Sequence, residues 1–139
     1  MRNLVFHCEK YQSFNLNVSL LIMRIFFGLT MAFTHGLKKV PPTDGFIGYL
    51  SSMSLPMPTA LAWSAGISEF IGGIFIAIGL GTRFFSATWV VTMFVAAFVA
   101  HAADPFAKKE MALSYLVVSV FLLLSGAGKF SIDALISKK

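Results

Sequence analysis

Cysteine is nearly absent: Cys8 is the single one in 139 residues. One thiol cannot close an internal disulfide, and no C-x-x-C or C-x-x-C-H occurs, which excludes intrinsic thioredoxin-like chemistry and covalent haem attachment. Cys8 reads as an ordinary reduced thiol ahead of the first apolar run. Charge is also scarce, at 12% of residues, about half the ~25% of soluble domains. There is no P-loop and no G-x-G-x-x-G after a strand. Acidic residues are fewest, six against eleven basic ones, for a net charge of +5. The basic residues lie in the gaps between apolar runs and form no stripe. There they orient a membrane protein and meet anionic headgroups. A disordered chain, a nucleic-acid module and a disulfide-stapled secreted domain are excluded.

Hydrophobic residues make up 57% of the chain, and the mean hydropathy is +0.79. Four apolar segments carry this excess: Leu16–Gly36, Thr59–Leu80, Phe84–Ala103 and the shortest, Glu110–Ser125. Each is near the ~20 residues that cross a ~30 Å hydrocarbon core as a helix. None alternates as a barrel strand would. The first segment is too long for a signal-peptide core, carries Arg24 and has no A-x-A site after it, so it reads as a retained helix. The expected fold is all-α, an integral membrane four-helix transmembrane bundle. The first loop predicts a short interfacial helix, opened by Thr43-Asp44 and carrying Phe46, Ile47, Tyr49 and Leu50. Pro56 and Pro58 suit the entry to the second span. The divisions are a cytoplasmic segment 1–15, a transmembrane domain 16–128 and a cytoplasmic tail 129–139. Arg2, Lys10, Arg83, Lys129, Lys138 and Lys139 outnumber Lys38, Lys39, Lys108 and Lys109 on the other side. This bias predicts both termini in the cytoplasm and a multi-pass protein of the inner (plasma) membrane.

Charges inside spans are expensive and face inward to find partners. At 100° per residue Arg24, Gly28 and His35 share one stripe. Glu69 shares a face with Ala62, Ala65, Gly66, Gly72, Gly73 and Ile76, small residues that let helices approach closely. A buried Arg24–Glu69 pair is therefore expected, either fixing helix register or serving a ligand or proton site. At the opposite end His35, Lys38, His101 and Glu110 form a candidate ligand or proton site, because histidine titrates near neutrality. They lack tight ligand spacing, so no metal is expected. Tyr115 lies about 140° from Glu110 and is read as a packing residue. Arg83 and Asp133 are expected to be structural on the cytoplasmic side, with Asp133 pairing with Arg83 or capping a tail helix.

These residues fall into an ordered set of motifs: Arg24-x3-Gly28 and His35-Gly36-x-Lys38; Ser68-Glu69-x2-Gly72-Gly73 and Gly79-Leu80-x-Thr82-Arg83; His101; Glu110-x-Ala112-x2-Tyr115-Leu116; and Gly126-x-Gly128-x2-Ser131-x-Asp133. In order and spacing, over roughly residues 17–136, the chain resembles the DoxX family of small four-helix membrane proteins. It departs at Ala127, where the family often has proline, and at Lys109, where glycine is common. The resemblance implies the membrane part of a thiosulfate:quinone oxidoreductase, or of membrane redox and thiol-stress complexes. It alone suggests quinone as a cofactor; none is expected to be covalently bound. The expected partners are the lipid bilayer, a redox partner protein and a second copy in a homodimer. The expected function is a membrane subunit or anchor of a redox complex, at most a non-autonomous part of an oxidoreductase. The alternative is small-solute binding or transport, or membrane-protein assembly, without catalysis.

Overall fold

The computed structural model describes residues 13–137, and every regular element among them is helical. Arg2, Cys8, Lys10, Lys138 and Lys139, which enter the readings of thiol chemistry and topology, lie outside the described residues. Helix α1, Phe14–Thr30, runs on through a π-helical stretch, Met31–Gly36, and a 3-10 turn, Leu37–Lys39. Helix α2 is Asp44–Ser52 and α3 is Pro58–Ile78. Helix α4, Thr82–Val95, is extended by a second π stretch, Ala96–Ala100. Helix α5 is Phe106–Ser125 and α6 is Ile132–Ser137.

The chain ends these elements by local chemistry. The Ser13 hydroxyl accepts from Leu16 N at 3.3 Å and opens α1. Thr43 does the same for α2, accepting from Phe46 N at 3.2 Å. Pro58 sits where α3 has no use for an N–H. Helix α3 stops at Gly79, whose φ of 72° favours glycine. There the Leu80 N–H turns back to Phe75 O at 2.9 Å, satisfying a carbonyl that the helix end leaves open.

Four long helices form the bundle, with α1 on α3, α3 on α4 and α4 on α5; α2 lies against α3. Phe14–Lys39, Pro58–Ile78 and Thr82–Ala100 are long and apolar enough to cross a membrane. Helix α5 opens with Lys108, Lys109 and Glu110, so the apolar part of this fourth rod is shorter. Phe26, Val91, Val117 and Leu124 are among the large apolar side chains left on the outside, as on a lipid-facing surface.

The α1–α3 contact sets the register for everything else. A Cβ on Gly28 would lie 2.6 Å from Gly73 O, and one on Gly73 would lie 2.6 Å from Gly28 O. Farther along, Gly36 meets the backbone of Glu69 and Phe70, and Gly66 meets Lys39 O. The two backbones thus touch along an antiparallel seam of small residues, as close helix packing in lipid requires. Between the ends the core is closed by Met31, Ile76, Trp89 and Leu122. The Trp89 indole N–H donates to Ser68 O at 2.8 Å.

Candidate functional site

The bundle has two polar ends of opposite character. At the first, Arg24 is fully buried. Its guanidinium donates to Ile76 O and Ala77 O, both at 3.4 Å, and to Phe130 O at 2.6 Å. Ile76 and Ala77 belong to the last turn of α3, where carbonyls lack i+4 partners and the macrodipole is negative; Ile76 O also accepts from Gly79 N at 3.1 Å. Asp133, also buried, accepts from Gly81 N at 2.7 Å and Thr82 N at 3.0 Å, and so caps α4 from across the fold. Its own N–H donates to Gly79 O at 2.8 Å. The Asn17 side chain accepts from Lys129 N at 2.6 Å and ties the tail to α1. Here charges are spent on backbone, and the result is a clamp.

At the second end lies a cavity of about 110 Å³. Helix α1 supplies Met31, His35 and Lys39, and α3 supplies Glu69. Helix α4 and its π stretch supply Met93 and Ala96, with His101 just beyond. The α5 wall is Lys108, Met111, Ala112 and Tyr115. Lys39 Nζ lies 2.7 Å from Glu69 Oε1. Glu69 is only 2% exposed, and its second oxygen, Oε2, is buried with no hydrogen-bond partner. The Tyr115 ring meets His35 edge-on at 6.0 Å between centroids and Trp89 at 5.8 Å. At the rim His101 Nδ1 and Asp104 Oδ2 are 2.8 Å apart, and Lys108 Nζ stands 3.6 Å from Asp104 Oδ1. That imidazole holds the Asp104 carboxyl below the usual carboxylate range. Both π stretches of the described residues border this cavity, and such turns are frequent at functional sites.

Three expectations are corrected here. Arg24 and Glu69 are both buried, but they do not pair. The α1–α3 register sets Arg24 against Gly79 and Gly36 against Glu69. Arg24 therefore meets carbonyls seven and eight residues beyond Glu69, about 10 Å along the axis. Glu69 finds Lys39 instead, because α1 continues past Gly36. A π turn is wider than an α turn and rotates the chain less per residue. Lys39 consequently turns inward, and Lys38 is exposed and lines no part of the cavity. The third correction concerns α5. Glu110, with Ser114 and Val117, is on the exposed face, whereas Ala112, Tyr115, Val118 and Leu122 face the core.

His35 and His101, by contrast, do border one cavity. Arg83 and Asp133 do not pair: Arg83 donates to Leu124 O at 3.1 Å. Asp133 caps α4 and not the tail helix, whose first turn donates instead to Ser131 Oγ through Ala134 N at 3.1 Å. Among the described residues no group of three or more His, Cys, Asp or Glu side chains could hold a metal.

The sequence model of the DoxX family matches residues 19–102, well over half of the chain. The chain belongs to the DoxX family. The match takes in Arg24, His35, Lys39, Glu69 and His101 and stops before α5, so Tyr115 and the tail clamp lie beyond it. Among curated proteins, the chain is 28% identical over 122 residues to "Putative oxidoreductase CatD" of Bacillus subtilis, covering 87% of this chain and 89% of the relative. It is 30% identical over 137 residues to an uncharacterized protein of Haemophilus influenzae, covering 93% and 90%. No solved structure matches significantly. This DoxX protein is thus an integral membrane protein with several apolar helices, related to one named as an oxidoreductase.

Proposed function

We propose that this DoxX protein is a membrane subunit of a redox assembly, anchoring a redox partner and exchanging electrons and protons with the quinone pool at its polar cavity. One observation carries this reading. Protonatable groups, Glu69, His35 and His101, gather beside the rings and thioethers of one small cavity at the ends of apolar helices. Such a place can receive a flat, apolar redox carrier and handle its protons. In this reading Glu69 and the two histidines hold and move protons, Lys39 neutralises Glu69, and Tyr115 and the methionines provide the ring-binding walls. The name of the Bacillus relative supports the redox class, and the family resemblance supports quinone.

The same reading sets the protein in the inner membrane with both termini in the cytoplasm. The cavity then opens on the opposite side. A solute pathway through a single bundle is disfavoured. Below the cavity the Gly28–Gly73 crossing and the buried Met31, Trp89 and Leu122 fill the interior.

The test is purification in mild detergent, with mass spectrometry of bound lipids and co-purifying proteins. A quinol or the quinone it yields in the preparation, lost in Glu69→Gln, and a redox partner that reduces or oxidises it are the expected results. A preparation with neither quinone nor redox partner would sink the proposal. Solute flux in liposomes abolished by Glu69→Gln would replace it with transport.

A further inference from the structure

We infer that the cavity is a single-ring pocket selecting a neutral hydroxyl donor, with Glu69 Oε2 as the acceptor that recognises it. This deepens the quinone reading and rests on it for the setting, but the argument is geometric. A buried carboxylate oxygen without a partner forfeits hydrogen bonding that water would supply. Glu69 Oε2 is such an oxygen, in a side chain that borders the cavity. A ligand that donates to it removes the deficit.

The neighbouring charges decide what kind of donor fits. Lys39 Nζ already sits 2.7 Å from the other oxygen of the same carboxylate. Lys108 stands at the rim, with Asp104 Oδ1 3.6 Å away. A cationic donor would meet two ammonium groups, whereas a neutral O–H meets none of that repulsion. A quinone carbonyl offers only acceptor atoms and would face the carboxylate lone pairs. The reduced, hydroxyl-bearing form therefore fits this oxygen and the oxidised form does not.

Size and walls define the rest of the ligand. The cavity measures about 110 Å³, somewhat below the ~150 Å³ of an engineered apolar cavity that admits benzene. One six-membered ring is the natural occupant, with its substituents at the open rim; a fused pair of rings is too large. Met31, Met93 and Met111 supply polarizable thioethers, which make favourable contacts with ring edges. The His35 and Tyr115 rings supply aromatic faces and edges.

Redox-inert probes separate this inference from the quinone reading. Binding of 4-fluorophenol, 4-fluoroanisole and 4-fluoro-1-naphthol to the full chain in detergent micelles is read by fluorine NMR. Empty micelles serve as the reference. The expected result is that the phenol binds at least tenfold more tightly than the anisole, which lacks only the O–H, and that the naphthol binds at least tenfold more weakly than the phenol. Equal binding of phenol and anisole overturns the donor selection, and equal binding of phenol and naphthol overturns the size limit. Both comparisons use the unaltered protein. In Glu69→Gln the preference for phenol over anisole should fall below threefold; a preference that survives overturns the assignment to Glu69. Absence of a quinone or redox partner from the purified protein would remove the redox setting and leave these three outcomes unchanged.

Discussion

The two polar ends of the bundle use similar residues to opposite effect. At the clamp, Arg24 and Asp133 are buried and reach backbone: three carbonyls for the one, two N–H groups for the other. At the cavity, Glu69 is equally buried but half used, with one oxygen on Lys39 and one on nothing. A buried charge bound to backbone at helix ends holds the fold together. A buried charge left with spare capacity beside a void has a use that the fold does not supply. The difference lies in the partners and could not be read from the residue types.

The contrast can be broken most forcefully at the clamp. Arg24→Met should destabilise the protein by about 3–4 kcal/mol, because carbonyls that stay dry each lose ~1–3 kcal/mol of satisfaction. Denaturant unfolding in mixed micelles would show it; a change under 1 kcal/mol would mean that water replaces the guanidinium. Next comes the seam that separates the two ends. Gly73→Ala places a methyl 2.6 Å from Gly28 O, and overpacking of this kind costs about 1–3 kcal/mol. A lowered thermal midpoint is the readout. Asp133→Ala removes the cap of α4 and should cost about 1–2 kcal/mol. Hydrogen exchange at Gly81 and Thr82 should quicken before global unfolding.

The cavity end should respond in the other sense. Glu69→Gln is expected to alter stability by less than about 1 kcal/mol, since the amide is nearly isosteric, removes a buried charge, and leaves the partly exposed Lys39 free to turn to water. The same change should erase most of the preference for a phenol over its anisole. A large stability loss there would erase the distinction between the ends. The smallest effect concerns the rim. The Asp104 pKa is depressed by its hydrogen bond to His101. Its stabilising contribution is therefore present above the ordinary Asp pKa of ~3.9 and is lost as pH falls through the lower folded value. The stability difference between the protein and Asp104→Asn should shrink below about pH 4. A difference that persists there would show that the rim contact is not ionic.

Much of this was legible beforehand. The apolar runs gave the long helices, Thr43-Asp44 gave α2, and Pro58 and Gly79 gave the limits of α3. Helical phase also found the buried face of α3, with Ala62, Gly66, Gly72, Gly73 and Ile76 buried and Ala65 half-buried. Phase failed where the helix was not α. The π stretch in α1 turned Lys39 inward, and no residue in Met31–Gly36 announces it. On α5 the charge of Glu110 points to an inward residue, yet the first turns of this helix lie at the rim, where charge can face outward. Tyr115, on the side thereby discounted, lines the cavity.

The chain alone determined that this is a helical membrane protein with Arg24 and Glu69 in its interior, because a charge amid apolar residues has nowhere cheaper to go than away from lipid. Which partner each charge met was decided only by the tertiary structure. Glycine contacts fix the sliding register of α1 on α3, and a shift of one turn, ~5.4 Å, exchanges one set of neighbours for the next.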